Sequence, residues 1–486
     1  MEATFQQLDP AVCDRARLAR DPRFDGRFFI GVLTTGIYCR PICPAPSPKK
    51  ANIRYFPTAA AAAEAGLRPC LRCRPEAAPG TPAWAGTSAT VRRALRLIQE
   101  GALDTGSVEQ LATRLGVGAR HLHRLFAQHV GASPIVVAQT RRLHFAKRLL
   151  DETDLPMTSI ALASGFGSLR RFNAAFQTTY RRAPRELRRE TRHVPNTRDS
   201  GLHMRLAYRP PYDWKSLHAF LAARAMPGVE RLTNDSYART VCINGDVGWI
   251  EVRHLKSDAA LTLNVHGLES SALFTVVSRV RQMFDLSADP AEVRVVMSGD
   301  PLLRPLLRAR PGLRLCGAWD PFEIAVRAVL GQQVSVAAAR TFATRLVSTF
   351  GTHVAVADGL AYLFPAPAQL ANADLTCIGL TRSRAATINV LAKATRDGEL
   401  RFDNGDELRK ALLDIRGIGA WTAEYVAMRG AGDPDAFPAE DLILRRMAGN
   451  GSALTAAAMR KRADDWRPWR AYAVMHLWRA APAARK

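Results

Sequence analysis

Between Ser88 and Arg192 apolar residues recur at three- and four-residue intervals, the spacing that lines one face of a helix, with turns marked by Gly116, Gly131 and Gly165. Within this segment one pattern occurs twice, as SVEQLATRLGVGARHLHRLFAQHVGASP (107–134) and MTSIALASGFGSLRRFNAAFQTTYRRAP (157–184). Each copy has a helix with Ala at its middle, a Gly turn, a second helix bearing His or Arg before a Phe, and a closing Pro. The duplication predicts two helix-turn-helix units. After a polar stretch (TRHVPNTRDSG, 191–201) the period shortens to two around YARTVCING, GWIEVRHL and ALTLNVHG, which predicts a small antiparallel sheet. From about Pro290 onward the pattern is helical again, broken by short Gly/Pro turns. Residues 1–78 differ from all of this: Gly36 and the prolines at 41, 44, 46, 48, 57, 69 and 75 predict short, irregular elements. The run PEAAPGTPAWAGT (75–87) reads as a linker.

A chain of 486 residues is about three times the size of a typical ~150-residue domain, so several folding units are expected. Its 47% hydrophobic and 23% charged residues exclude wholesale disorder. No run of ~18 uncharged apolar residues exists, and MEATFQQLDP lacks the basic flank of a secretion signal, so a cytoplasmic protein without a membrane partner is expected. Charge sharpens the picture: 68 Lys and Arg against 44 Asp and Glu give a formal +24, and residues 85–200 alone hold 19 against 9. Concentrated positive charge on a helical segment points to a polyanion, with nucleic acid leading.

Of eight cysteines, Cys39, Cys43, Cys70 and Cys73 fall within 35 residues as C-x3-C and C-x2-C, two close pairs of the kind tetrahedral zinc takes. Spacing alone leaves open whether such a site is structural or reactive. The runs RDPRFDGRFFIGVLTTGIYCRPIC (20–43) and GLRPCLRCRPE (66–76) resemble the zinc domain of the Ada adaptive-response family. That resemblance makes Cys39 both a zinc ligand and the acceptor of methyl groups from DNA methylphosphotriesters. Zinc holds a thiol as a thiolate that is still a soft nucleophile, and methylation turns it into a neutral thioether, removing one negative charge that faces DNA. Stronger DNA binding after methylation is the expected consequence. The loop PAPSPKKAN brings only Lys49 and Lys50 to that surface.

In the repeated units the second helices, around 118–128 and 168–178, carry Arg120, His121, His123 and Arg124, and Arg170, Arg171 and Asn173. Those are the candidates for base-edge and phosphate contacts in a major groove. The tandem arrangement resembles AraC-type regulators, and placed after the zinc segment it follows the order of Ada regulators. The Pro-Cys-His-Arg motif of alkylguanine methyltransferase domains does not occur, so repair of alkylguanine by direct transfer is not expected.

LLDIRGIGAWTAEYVAMRG (412–430) reads as a helix-hairpin-helix, whose Gly417 and Gly419 let backbone amides approach a DNA phosphate, often with a monovalent cation at the turn carbonyls. About twenty residues later comes Asp441, in DAFPAEDLILRR (435–446). With RPPYDWKSLHAFLAARAMPGVE (209–230), RPGLRLCGAWDPFE (310–323), AVLGQQVSVAAA (328–339) and WRPWRAYAVMHLW (466–478), this resembles the AlkA family of alkylpurine DNA glycosylases over residues 203–486. By that resemblance Asp441 is catalytic, Glu440 is its non-catalytic neighbour, and Phe220, Trp421, Tyr425 and Trp478 line a pocket whose aromatic faces would attract a cationic alkylpurine. Trp421 stands where bifunctional members carry a lyase Lys, so hydrolysis without strand cleavage is implied. Gln333 stands at the position of an apolar wedge, leaving Gln333 or the adjacent Gln332 to fill the gap behind a flipped base.

The resemblances together imply a mainly α, multidomain fusion. A zinc domain (1–78) precedes an all-α double helix-turn-helix domain (85–192), an α+β domain with an antiparallel sheet (203–290) and all-α glycosylase domains (291–486). Implied partners are double-stranded DNA, both damaged and promoter sequences, and RNA polymerase, for a monomer associated with the nucleoid. Two other readings are a regulator that binds DNA without turnover, against which Asp441 and the aromatic set argue, and a constitutive repair enzyme whose front half only tethers it.

Overall fold

In a computed structural model, residues 9–78, 89–153, 155–188, 201–402, 405–449 and 452–481 are described. Most of the expected linker at 75–87 and of the polar stretch at 191–201 lie outside them. The backbone divides into two compact units, one comprising Met1–Pro210, Leu255–Ser278 and Leu286–Ala288, the other Pro211–His254, Arg279–Asp285 and Asp289–Lys486.

The segment before residue 78 is more regular than its prolines suggest. Helix α1 (Pro10–Leu18) starts with proline, which suits a first helical position, and Asp9 caps it by accepting from the Ala11 amide at 2.8 Å. Strands β1 (Phe29–Val32), β2 (Ile37–Cys39) and β3 (Ile53–Phe56), helix α2 (Ala59–Glu64) and strand β4 (Arg68–Pro69) follow. The strands form one sheet in the order β3-β1-β2-β4, with Ile30 opposite Cys39 and Tyr55. Strand alternation sends Phe29, Tyr38 and Phe56 toward α2 and Ile30 toward Cys13, Ala16 and Phe28. A Cβ at Gly31 would meet Phe56 and Leu67 within 2.5 Å, so that strand can pack there only as glycine. The prolines fall at element ends and between elements, where they punctuate a small sheet rather than prevent it.

The helical segment runs as α3 (Ala89–Gln99), α4 (Ala102–Thr105), α5 (Val108–Arg114), α6 (Ala119–His129), α7 (Pro134–Glu152), α8 (Met157–Ala163), α9 (Leu169–Tyr180) and α10 (Pro184–Leu187). The expected turn glycines Gly116, Gly131 and Gly165 all have positive φ, +70°, +73° and +79°. The repeat is visible as burial: α6 buries Leu122 and Phe126, and α9 buries Phe172, Phe176 and Tyr180 at matching positions. In the same unit the zinc segment docks on these helices. Tyr38 Oη hydrogen-bonds His144 Nε2 at 2.8 Å, Thr58 donates to the Val130 carbonyl at 3.0 Å, and Arg74 meets Asp151 at 2.9 Å.

Beyond the polar stretch at 191–201 come β5 (Leu202–Ala207), α11 (Trp214–Ala222), β6 (Glu230–Leu232), β7 (Ser236–Ile243), β8 (Asp246–Leu255), β9 (Ala260–His266) and α12 (Leu273–Met283). Pairing is antiparallel between β5 and β9, and between β7 and both β6 and β8. The three alternating stretches read from the sequence are β7, β8 and β9. After Pro290 the chain is helical, with one exception: α13 (Pro290–Met297), α14 (Leu303–Ala309), α15 (Pro321–Leu330) and α16 (Val336–Phe350) precede a short hairpin of β10 (His353–Ala357) and β11 (Leu360–Tyr362). Then come α17 (Pro367–Leu370), α18 (Arg382–Arg396), α19 (Gly405–Leu413), α20 (Ala420–Arg429), α21 (Leu442–Met447), α22 (Ala456–Ala463) and α23 (Arg470–Ala480). The hairpin escaped sequence reading because its two strands are short and turn at Gly359 after a single apolar alternation. Helix α15 is buried almost all round, and its Glu323 is neutralised by Arg239 at 2.7 Å and Arg327 at 3.0 Å.

Candidate metal centre and DNA-facing pocket

Strand β2 ends on Cys39, the loop after it carries Cys43, and β4 leads into Cys70 and Cys73. The four sulfurs lie within 4.8 Å of one another, Cys70 and Cys73 buried and Cys39 and Cys43 half-exposed. Hydrogen bonds with Cys39, then Cys43 and Cys73, pull the Cys70 thiol down, whereas those with Cys39, Cys43 and Cys70 push Cys73 up. Cys43 is lowered to about 7, first by Cys39. Four thiols this close cannot all ionise against one another unless a cation joins them, and a tetrahedral dication with thiolate ligands fits that donor set. The Arg40 amide donates to Cys73 Sγ at 3.3 Å, and the Arg40 guanidinium donates to the Cys73 carbonyl at 2.9 Å and pairs with Asp25, which fixes it beside the cluster. Cys39 is on the more exposed side of the cluster, as a group that meets a large substrate must be.

In the helix-turn-helix pair the apolar positions point inward and the candidate readers outward. Arg120, His121, His123 and Arg124 are exposed on α6, with Arg124 Nη2 2.8 Å from His121 Nδ1. Arg170, Arg171 and Asn173 are exposed on α9, whose cap Ser168 accepts from the Arg171 amide at 3.2 Å.

In the other unit α19 and α20 form the hairpin. Gly417 has φ +95°, and a Cβ there would meet Thr387 Oγ1 at 2.2 Å. Gly419 is the N-cap of α20, with open space where a Cβ would stand. Thr387 donates to the Arg416 carbonyl at 2.9 Å and Gln332 Nε2 to the Gly417 carbonyl at 2.9 Å, so a monovalent cation would have to share those oxygens with protein donors.

Gln332 also donates to Thr422 Oγ1 at 3.0 Å, and its carbonyl accepts from Arg384 at 2.8 Å. It is thus a clamp on the hairpin. Gln333 is the exposed neighbour, held at φ +56° by that clamp, a backbone conformation a non-glycine residue adopts only when its surroundings impose it.

Asp441 is the N-cap of α21, with Oδ1 accepting from the Leu444 amide at 3.0 Å, and its Oδ2 accepts from Trp421 Nε1 at 2.9 Å. No Lys or Arg pairs with it among the described residues. The adjacent Glu440 forms an ion pair with Arg460, which leaves its charge already engaged.

Trp421 stacks on Tyr425 at 5.1 Å and 14°, and Tyr425 lies 6.1 Å from Trp478. The aspartate and three of the four expected aromatics therefore form one continuous cluster. Phe220 joins it through cations: Arg224 lies 3.7 Å and Arg429 5.0 Å from its ring centroid. Burial works to raise the Tyr425 phenol, but Arg429, Arg224 and Arg327 outweigh it and leave it lowered. Arg224 and Arg429 were missed by sequence reasoning. The signal was present, because Trp421, Tyr425 and Arg429 share one helix face at four-residue spacing, and Arg224 follows Phe220 by four residues in the turn just after α11.

Four family profiles match the chain: the metal binding domain of Ada over residues 12–76, a helix-turn-helix domain over 111–190, the AlkA N-terminal domain over 203–320, and the HhH-GPD superfamily base excision DNA repair protein over 326–468. A probable bifunctional transcriptional activator/DNA repair enzyme AlkA of Mycobacterium tuberculosis is 40% identical over 474 residues, spanning 96% of this chain and 95% of its own length. DNA-3-methyladenine glycosylase 2 of Escherichia coli is 37% identical over 284 residues, 56% of this chain and 95% of that protein. Among solved structures, a 3-methyladenine DNA glycosylase from Archaeoglobus fulgidus superposes with a TM-score of 0.51 at 25% identity, covering 56% of this chain and 96% of that one.

Proposed function

The chain belongs to the family of AlkA-type bifunctional transcriptional activator/DNA repair enzymes, and from that membership we propose how its residues divide the work. It is an alkylation-damage protein in which an Ada-type zinc domain and a helix-turn-helix domain are fused to a DNA-3-methyladenine glycosylase.

In the front part, the Cys39 sulfur attacks the methyl carbon of a DNA methylphosphotriester. The carbon–oxygen bond breaks with its electron pair going to the phosphate oxygen, which restores the diester anion and leaves a thioether. Zinc, held by Cys39, Cys43, Cys70 and Cys73, supplies the thiolate state of the attacking sulfur. Arg120, His121 and Arg124 on α6, and Arg170 and Arg171 on α9, hold promoter DNA, and the methylated protein recruits RNA polymerase as an activator. The working species is a monomer in the cytoplasm, on the nucleoid. Residues 1–78, 85–192, 203–290 and 291–486 are its domains.

In the glycosylase part, backbone amides at Gly417 and Gly419 take a phosphate, Gln333 reaches into the stack, and the flipped purine enters between Trp421, Tyr425, Trp478 and Phe220. The glycosidic bond breaks with its electron pair going to the base. Asp441 faces the sugar as its positive charge develops, and the oxygen of water adds at C1′, its proton passing to solvent. The observation that carries this reading is that Asp441 accepts from Trp421 at 2.9 Å while no Lys or Arg among the described residues pairs with it, so its charge is aimed and available. Trp421 offers no amine, hence no covalent lyase step. The test is release of free alkylpurine from methylated duplex by the full chain, with abasic sites but no strand breaks; absence of base release would overturn it.

A further inference from the structure

The aromatic cluster beside Asp441 holds two cations, Arg429 buried and Arg224 half-buried, where an attractor of cationic bases would be expected to hold none. Arg429 closes α20 and is 4% exposed. Its guanidinium donates to the Cys316 carbonyl at 2.9 Å, the Gly317 carbonyl at 3.0 Å and Tyr425 Oη at 2.7 Å, all neutral acceptors. Arg224 donates to the Phe220 carbonyl at 3.2 Å.

Neither guanidinium has a carboxylate partner among the described residues. Arg327, by contrast, is paired with Glu230 at 3.2 Å and Glu323 at 3.0 Å. The two unpaired charges lie over Phe220, and Arg429 is 5.5 Å from the Tyr425 centroid, one ring away from the Trp421–Asp441 pair. The electron-rich faces of Phe220 and Tyr425 are therefore already engaged by cations of the protein, and a cationic base entering beside them meets positive charge.

We infer that Arg429, with Arg224 beside it, is a specificity-determining residue that favours damaged purines leaving as anions over those that are cationic in the ground state. The inference rests on the base-excision reading of this pocket. When a neutral purine departs, the electron pair of the C1′–N bond gives the base a negative charge; the oxygen of water bonds C1′ and its proton ends on the base. Fixed guanidiniums stabilise that developing anion. When an alkylated cation departs, the same pair makes the base neutral and the water proton goes to solvent. The guanidiniums then oppose binding of the charged base by about as much as they speed its departure, so relative to free enzyme and free substrate they gain nothing at the transition state.

The experiment compares single-turnover excision of hypoxanthine, a neutral purine, and of 7-methylguanine, a cation, each placed once in the same duplex, by the full-length zinc-loaded protein. Wild type should release both. In Arg429→Met the hypoxanthine to 7-methylguanine ratio of maximal rate over half-saturating concentration should fall about tenfold, through a slower maximal rate on hypoxanthine, while on 7-methylguanine the maximal rate and the half-saturating concentration fall together. Arg429→Lys, which keeps the charge, should restore the ratio, and the half-buried Arg224→Met should lower it should Arg429→Met fail to fold. Because the ratio is independent of the active fraction, a purely structural role would reduce both rates together. An unchanged ratio overturns the inference, as does release of 7-methylguanine but not hypoxanthine by wild type. Release of neither overturns the base-excision reading itself.

Discussion

Cys39 and Asp441, the two groups proposed to meet DNA as anions, stand on different supports: one in a cluster of four thiols that fits zinc, the other on a packed core. Around the zinc ligands the described apolar clusters are thin, five buried residues on one face of the sheet and four on the other. The helices around the hairpin share a cluster of 28 buried residues. A thin core cannot hold four thiolates together by packing, so there the metal and the fold must stabilise each other. A large core can aim a carboxylate with one indole hydrogen bond and one helix cap. The difference also separates the chemistries: a sulfur that becomes a thioether is used once, whereas a carboxylate that only opposes a passing charge is returned unchanged.

Removing zinc is the strongest way to break the comparison. A chelator should abolish methyl transfer and collapse hydrogen-exchange protection in β1, β2 and β3, while base excision by the same full-length protein stays within about twofold, since no described metal cluster lies in the glycosylase unit. Equal loss of both activities would mean that the two sites do not stand on separate supports.

Asp441→Asn should cost ~100-fold or more in base excision with DNA binding nearly intact, because the amide keeps its size and loses the charge. Glu440→Gln should cost little, since that carboxylate is already paired with Arg460. Excision assays on a duplex with one alkylated purine separate the two; a dead Glu440→Gln enzyme would reverse the assignment. Strand breaks without heat or alkali would overturn the monofunctional reading of Trp421.

What the sequence revealed follows from how each feature is encoded. The helix-turn-helix repeat and the alternating strands were legible because burial on one face repeats at the period of the backbone, and the zinc cluster because four cysteines in two pairs need no fold to be recognised. The hairpin and Asp441 were legible through resemblance, and the glycine positions fit it on steric grounds: Gly417 could not carry a Cβ against Thr387. What was not legible depended on contacts between distant residues. Nothing in GQQVSV says that Gln332 is spent on the Gly417 carbonyl and Gln333 left exposed. Nothing near Tyr38 announces His144, more than a hundred residues away in sequence. The small sheet before residue 78 was obscured because prolines mark breaks, when Pro69 sits in the short edge strand β4, paired with Tyr38 of β2.

Methylation of Cys39 should raise promoter affinity by about fivefold at low salt, the effect of ~1 kcal/mol for one charge near another in water. The difference should shrink as salt rises, while binding of both forms falls steeply through counterion release. Gel shifts with methylated and unmethylated protein on one promoter across a salt series measure it. Equal affinities at low salt would leave the front half as a tether, and the comparison would then be between two repair sites rather than a sensor and an enzyme.

The most local contrast between the two units lies in how the zinc segment is held. Tyr38, next to the methyl acceptor, hydrogen-bonds His144 on α7 at 2.8 Å, and burial first, with the Arg148 charge second, pulls His144 down from its ordinary 6.5 to about 4. The ring is therefore neutral at pH 7 in the folded chain. An unfolded chain takes up its proton near pH 6.5, so stability from this group is full above that pH and is lost as the pH falls toward 4, by at most ~1.4 kcal/mol per pH unit. His476 on α23 is also drawn to about 4 by burial, with Arg310 acting in the same direction, so acid should weaken the glycosylase unit over the same window. Tyr38→Phe distinguishes the two units. It leaves the His144 nitrogen without its partner in a buried site and should cost the front unit ~1–3 kcal/mol at pH 7 while leaving α20 and α23 untouched. Hydrogen exchange on the full chain reads both at once: protection in β2 and α7 should fall together, with α20 unchanged. Loss of protection in β2 alone would mean that the zinc segment and the long helix unfold independently, and that Tyr38 and His144 do not couple them.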